Sequence, residues 1–124
     1  MLKIYGIKNC DSMKKAFQLL TQLGVSYEFH DYKKQGIDAQ TLQNWFNHVG
    51  TELILNKKGT TWRKLSPEQQ QFALKNDAQL IETLIANSSL IKRPVIEFKD
   101  QYVVGFDPIA IEKLVHSLPN LGTT

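Results

Sequence analysis

The chain of 124 residues holds one cysteine, Cys10. A single thiol excludes an intrachain disulfide and fits a reducing compartment. There is no Cys-x-x-Cys pair, because Met13 stands where a resolving cysteine would be. There is no glycine-rich phosphate loop, no internal repeat and no low-complexity tract. No apolar run is long enough to span a bilayer, and the N-terminus carries no signal-peptide pattern, so a soluble cytoplasmic protein is expected. Neither sign of charge dominates: 15 Lys+Arg against 12 Asp+Glu leave a small positive excess of +3. That excess is spread along the chain. It tolerates an anionic small molecule, and direct nucleic-acid binding is not expected. The histidines His30, His48 and His116 share no metal-ligand spacing with each other or with Cys10, so no metal is expected. None can be placed as a base for Cys10, which leaves a cysteine-protease reading with little support. All three are expected to be structural or surface residues.

What is present is an ordered change of hydrophobic period. At 42% hydrophobic and 22% charged residues, the composition is that of one ordinary domain with a packed core. Leu2 to Ile7 reads as a short strand. From Ser12 the apolar residues Met13, Ala16, Phe17, Leu20 and Leu23 recur at helical spacing, and Gly24 supplies the stop. Tyr27 to Tyr32 reads as a second strand, and a βαβ unit of this length makes the two strands parallel. Asp38 caps a helix carrying Leu42, Trp45, Phe46 and Val49, which Gly50 ends. Leu53-Ile54-Leu55 is a short apolar stretch, and residues 56–64 form a basic loop. Ser66-Pro67-Glu68-Gln69 is a strong helix start. Asp77 opens a further helix with Leu80, Ile81, Leu84 and Ile85 on its apolar side. Trp45, Phe46 and Phe72 are expected in the core, and Trp62 pins the basic loop.

The end returns to strands. Val95–Phe98 and Tyr102–Val104 flank a turn and predict a β-hairpin. Asp107-Pro108 caps a last helix with Ile111, Leu114, Val115 and Leu118 inward, stopped by Pro119 before a frayed tail, Asn120 to Thr124. The layout predicts an α/β fold: a thioredoxin/glutaredoxin-like, four-stranded mixed sheet (βαβ…ββα) with an inserted helical subdomain. The whole of 1–124 is read as a single thioredoxin-like domain, with the helical insertion at about 38–90.

Cys10 falls where the strand gives way to the first helix. The first amides of a helix have no intrahelical partners, and with the macrodipole they favour negative charge. The thiolate is the reactive form of cysteine. Lys8, Asn9, Lys14 and Lys15 surround it in sequence. Arg93-Pro94 precedes the first hairpin strand. Pro94 can simply punctuate the strand start, or be a cis-proline facing the cysteine, as the thioredoxin plan requires. Arg93 can be a solvated charge, or a fork-shaped partner for a carboxylate or oxyanion. Lys57 and Lys58 divide in the same way between a solvated face and an anion-binding rim.

Four stretches carry a family resemblance: residues 5–16 around Cys10, residues 59–65, Lys92-Arg93-Pro94-Val95, and Val104-Gly105-Phe106. Together they resemble the arsenate reductase-like (ArsC/Spx) proteins over nearly the whole chain, with the small YffB-type branch nearest. The resemblance implies a redox-active Cys10, Arg93 next to a cis-Pro94, and glutathione as thiol partner. Arsenate reductases of the glutaredoxin-dependent type carry a histidine where this chain has Gly6, and three arginines around the oxyanion. Only Arg93 matches clearly; the others fall near Asn56-Lys57 and near Gly105. The pattern favours a glutathione-dependent thiol-disulfide oxidoreductase. Cys10 would be catalytic, and Lys8, Asn9, Lys57, Arg93 and Pro94 would bind the substrate, a disulfide or an oxyanion. Glutathione is the expected co-substrate, with glutaredoxin a possible partner and no bound cofactor. The alternatives are a non-enzymatic Spx-like regulator that binds RNA polymerase and a true arsenate reductase.

Overall fold

The computed structural model describes residues 1–118; Pro119 and the tail expected to fray lie outside them. In chain order the elements are β1 (Leu2–Gly6), α1 (Asp11–Gln22), β2 (Tyr27–Asp31), α2 (Tyr32–Gln35), α3 (Ala39–Val49), α4 (Thr51–Ile54), α5 (Thr60–Lys64), α6 (Pro67–Lys75), α7 (Asp77–Ala86), β3 (Val95–Phe98), β4 (Gln101–Val104) and α8 (Pro108–His116). Two compact units emerge: residues 1–32 with residues from Arg93 onward, and residues 33–92.

The first unit carries the sheet, in the order β2-β1-β3-β4. The pair β1 and β2 is parallel, with α1 as its crossover, and β3 runs antiparallel to both β1 and β4. This is the four-stranded mixed sheet of a thioredoxin-like fold. Strand side chains alternate between faces. Leu2, Ile4, Ile96, Phe98 and Val103 point to one face, where they pack with Met13, Ala16 and Leu20 of α1 and with Ile111, Leu114 and Val115 of α8. Gly24 ends the first helical segment at φ 73°, a left-handed conformation that glycine adopts without steric cost. Asp107 accepts from the Ala110 amide and caps α8.

On the sheet's other face, Glu97 accepts hydrogen bonds from two phenols, Tyr5 at 3.0 Å and Tyr102 at 2.9 Å. Burial first, and then the Glu97 carboxylate, push the Tyr5 phenol well above its ordinary value of 10.0. Tyr102 is raised by burial and by its bond to Glu97, and Tyr32 chiefly by burial. A phenol held neutral by the fold contributes stability below its unfolded value, and that contribution is lost as pH rises through the folded value. Alkaline titration is therefore expected to weaken the protein above a pH of about 10. Phenolate absorbance from these three residues, assigned with single Tyr→Phe variants, should appear together with loss of circular dichroism. Reversible ionisation near the ordinary value in the folded protein would contradict this.

The second unit is built from α3 to α7. Its buried residues include Leu42, Trp45, Phe46, Ile54, Trp62, Leu80, Ile81 and Leu84. A capping box between Ser66 and Gln69 starts α6. Several sequence expectations are corrected here. Residues 60–64 of the basic loop form α5, with Gly59 as its N-cap. Asp77 opens α7 as expected, with Asn76 before it as the N-cap. Phe72 is 41% exposed and Ile85 46%, so neither is a core residue. Leu55 and Ile91 form an isolated antiparallel bridge where no strand was expected. In the first unit, Ile7 and Tyr32 fall just outside the strands that were read to include them.

Candidate functional site

The parallel strands β1 and β2 end together, with Gly6 opposite Asp31. Because β3 is antiparallel, it begins at that same end, with Val95 opposite Tyr5, and β4 finishes there with Val104 opposite Val95. Four segments are therefore delivered to one end of the sheet: Ile7–Cys10, Tyr32, Arg93-Pro94 and Gly105-Phe106. In α/β sheets such strand ends are the usual place for ligands. The Gly105 amide donates to the Pro94 carbonyl at 2.8 Å and ties two of these segments together. Gly105 does so at φ 83°, a conformation that strains residues with a Cβ.

Cys10 is the N-cap residue of α1, in extended conformation with φ −138° and ψ 134°. Its carbonyl accepts the Lys14 amide at 3.0 Å, while its side chain makes no capping bond. The thiol is half-buried and packs against the apolar core on one side. The open amides at the start of α1 favour a bound anion at this point. Lys8 and Asn9 are exposed in the turn before it. Arg93 is half-buried, Pro94 is buried, and the bond between them is cis. Among the described residues, the Arg93 guanidinium has no hydrogen-bond or ion-pair partner.

The chain's other arginine is differently placed. Arg63, in the second unit, donates to the Lys58 carbonyl at 3.0 Å and the Gly59 carbonyl at 3.4 Å. Lys57 also belongs to the second unit, where its ammonium stands 5.9 Å above the Trp62 ring. His30 lies with its ring centroid 4.9 Å from that of Tyr5, and His48 is hydrogen-bonded through Nδ1 to the Asn44 carbonyl at 2.7 Å.

Two features of this sheet end were not legible beforehand. Gly6 lies under Met13: a Cβ placed on Gly6 would collide with Met13 Sδ and stand 2.6 Å from its Cε. The buried Met13 side chain thus occupies the space that a side chain at position 6 would need. Tyr32, read only as a strand residue, is 3% exposed at the strand's end, and its hydroxyl has no hydrogen-bond partner among the described residues. No spacing or motif signals either contact.

Similarity to known proteins agrees with this geometry. A solved YffB protein is 43% identical, with a TM-score of 0.87 over 93% of this chain and 99% of that one. An arsenate reductase (ArsC) related protein from Brucella melitensis is 44% identical, with a TM-score of 0.70 over 94% of this chain and 95% of that one. The global transcriptional regulator Spx of Streptococcus agalactiae is 26% identical over 86% of this chain and 77% of its own length. The ArsC family profile matches residues 5–114. The chain belongs to the ArsC family.

Proposed function

We propose that the protein is a thiol-disulfide oxidoreductase that works through Cys10 alone and uses glutathione. The carrying observation is a half-buried thiol at the start of α1 that makes no capping bond, at the same sheet end as a half-buried arginine without a partner among the described residues. The Cys10 thiolate attacks one sulfur of a disulfide, the S–S bond breaks, and the other sulfur leaves as a thiolate. A Cys10 mixed disulfide results. With no second cysteine in the chain, an external thiol must attack that bond and regenerate Cys10. Arg93 matches a glutathione carboxylate with two parallel hydrogen bonds, and Lys8 and Asn9 line the approach. Glutaredoxin is the protein partner such a cycle would accept, in a reducing cytoplasm.

Mass spectrometry of the protein treated with oxidised glutathione is expected to show one glutathione on Cys10, removed again by excess reduced glutathione. An unmodified Cys10 would sink the reading. Arsenate reduction with glutathione and glutaredoxin is expected to stay near background. A tetrahedral oxyanion is best held by several charge-assisted bonds, and Arg63 is already committed to backbone carbonyls. Robust arsenate turnover would show that lysines or backbone amides suffice.

A second reading rests on the similarity to Spx: a regulator that kept the fold and binds RNA polymerase. Retention of purified RNA polymerase on the immobilised protein, with no turnover of the glutathione adduct, would favour it.

A further inference from the structure

Tyr32 immediately follows Asp31, the residue opposite Gly6 where β1 and β2 end. Arg93 lies two residues before Val95, which is opposite Tyr5 on the same central strand. Both residues therefore belong to the sheet end from which Cys10 projects. Each presents an unmet donor. The Tyr32 hydroxyl is buried without a hydrogen-bond partner among the described residues, and the half-buried guanidinium of Arg93 has none either. A guanidinium only donates, and a phenol donates readily. The Arg93 charge draws the Tyr32 phenol downward, against the larger upward effects of burial and of Tyr5.

A buried polar group without a partner costs free energy. Deleting the Tyr32 hydroxyl should therefore leave the free protein as stable as before, or more so. A hydroxyl held at such a cost is explained by a ligand that completes it. Two unmet donors at one sheet end, the end that also carries the Cys10 thiol, call for one kind of ligand atom: an anionic oxygen.

We propose that the Tyr32 hydroxyl and the Arg93 guanidinium together receive an anionic oxygen of the molecule that meets Cys10, making Tyr32 a binding residue of this site. The proposal rests on the thiol chemistry assigned to Cys10. The shared chemistry has two sources, a carboxylate of glutathione or a free tetrahedral oxyanion.

The test compares the unmutated protein with Tyr32→Phe. Three measurements are made on each: the rate of Cys10 modification by oxidised glutathione, the protection of Cys10 by arsenate against iodoacetamide, and the thermal unfolding midpoint. The glutathione rate is divided by the iodoacetamide rate of the same protein, which removes any change in general thiol reactivity. A hydrogen bond to a charged group is worth about 1.5–3 kcal/mol, so the normalised rate should fall by about tenfold to a hundredfold if the source is a carboxylate. If it is an oxyanion, arsenate protection should weaken by a similar factor. In either case the midpoint should be unchanged or raised. Unchanged values in both chemical arms, or a lowered midpoint marking a structural hydroxyl, would overturn the proposal. Failure of the unmutated protein to react with oxidised glutathione would instead defeat the glutathione reading. The arsenate arm would then still decide the role of Tyr32.

Discussion

Arg93→Ala is expected to slow formation of the Cys10–glutathione adduct by about tenfold to a hundredfold. The figure follows from losing a charge-assisted contact worth about 1.5–3 kcal/mol. The fold should be little affected, because the guanidinium makes no hydrogen bond or ion pair among the described residues. Arg93→Lys keeps the charge but loses the planar fork, so it should recover only part of the rate. The adduct is quantified by mass spectrometry against time, with circular dichroism as the folding control. Equal rates in all three proteins would remove Arg93 from the site. Full rescue by lysine would reduce its role to a point charge. The same comparison made with cystamine, which has no carboxylates, should show a much smaller spread.

The second large effect is expected at the contact between β1 and α1. Gly6→Ala introduces a Cβ into space held by Met13 Sδ and Cε. The end of a methionine is flexible, but this one is fully buried in the core between sheet and helices, which limits where it can go. Overpacking of this kind costs about 1–3 kcal/mol, and Gly6→His should cost more. Met13→Ala alone removes buried volume and should cost about 2–5 kcal/mol. Combining Gly6→Ala with Met13→Ala should cost clearly less than the two single changes added together, since the new Cβ enters the cavity left by the methionine. Chemical denaturation of the four proteins measures the coupling. Additive losses would mean that Met13 moves aside freely. The same contact bears on arsenate chemistry. Installing the histidine found in arsenate reductases requires a smaller residue at Met13 as well, so Gly6→His alone should give an unstable protein rather than a better reductase.

Local signals carried much of the architecture. The switch from alternating to helical period between β1 and α1, the stop at Gly24, and the turn between β3 and β4 are written in neighbouring residues, and the structure follows them. The capping box at Ser66 is equally local. Misreadings arose where a residue's fate depends on which side of an element meets a partner. Phe72, Ala73 and Leu74 are consecutive, so one helix face cannot bury all three; Ala73 is buried while its larger neighbours are exposed. Ile85 follows Leu84 and falls off the buried stripe of α7 for the same reason. The run 60–64 becomes helical around a buried Trp62, whose carbonyl accepts from Gln70 of the next helix at 2.9 Å, a contact between two helices that the period of neither one signals.

The candidate site divides along the same line. By itself the sequence determined that a lone thiol stands at the start of a helix, that no second thiol can resolve it, and that an arginine precedes a proline at a strand start. These are properties of adjacent residues. The tertiary structure alone decided that these pieces meet at one end of the sheet. Strand order and direction are set by hydrogen-bond pairing between segments some ninety residues apart, Tyr5 opposite Val95 among them. It alone decided that Met13 fills the space beside Gly6, and that the Tyr32 hydroxyl is buried without a partner among the described residues. Burial and close approach are properties of the packed chain, and residue type and spacing do not encode them one position at a time.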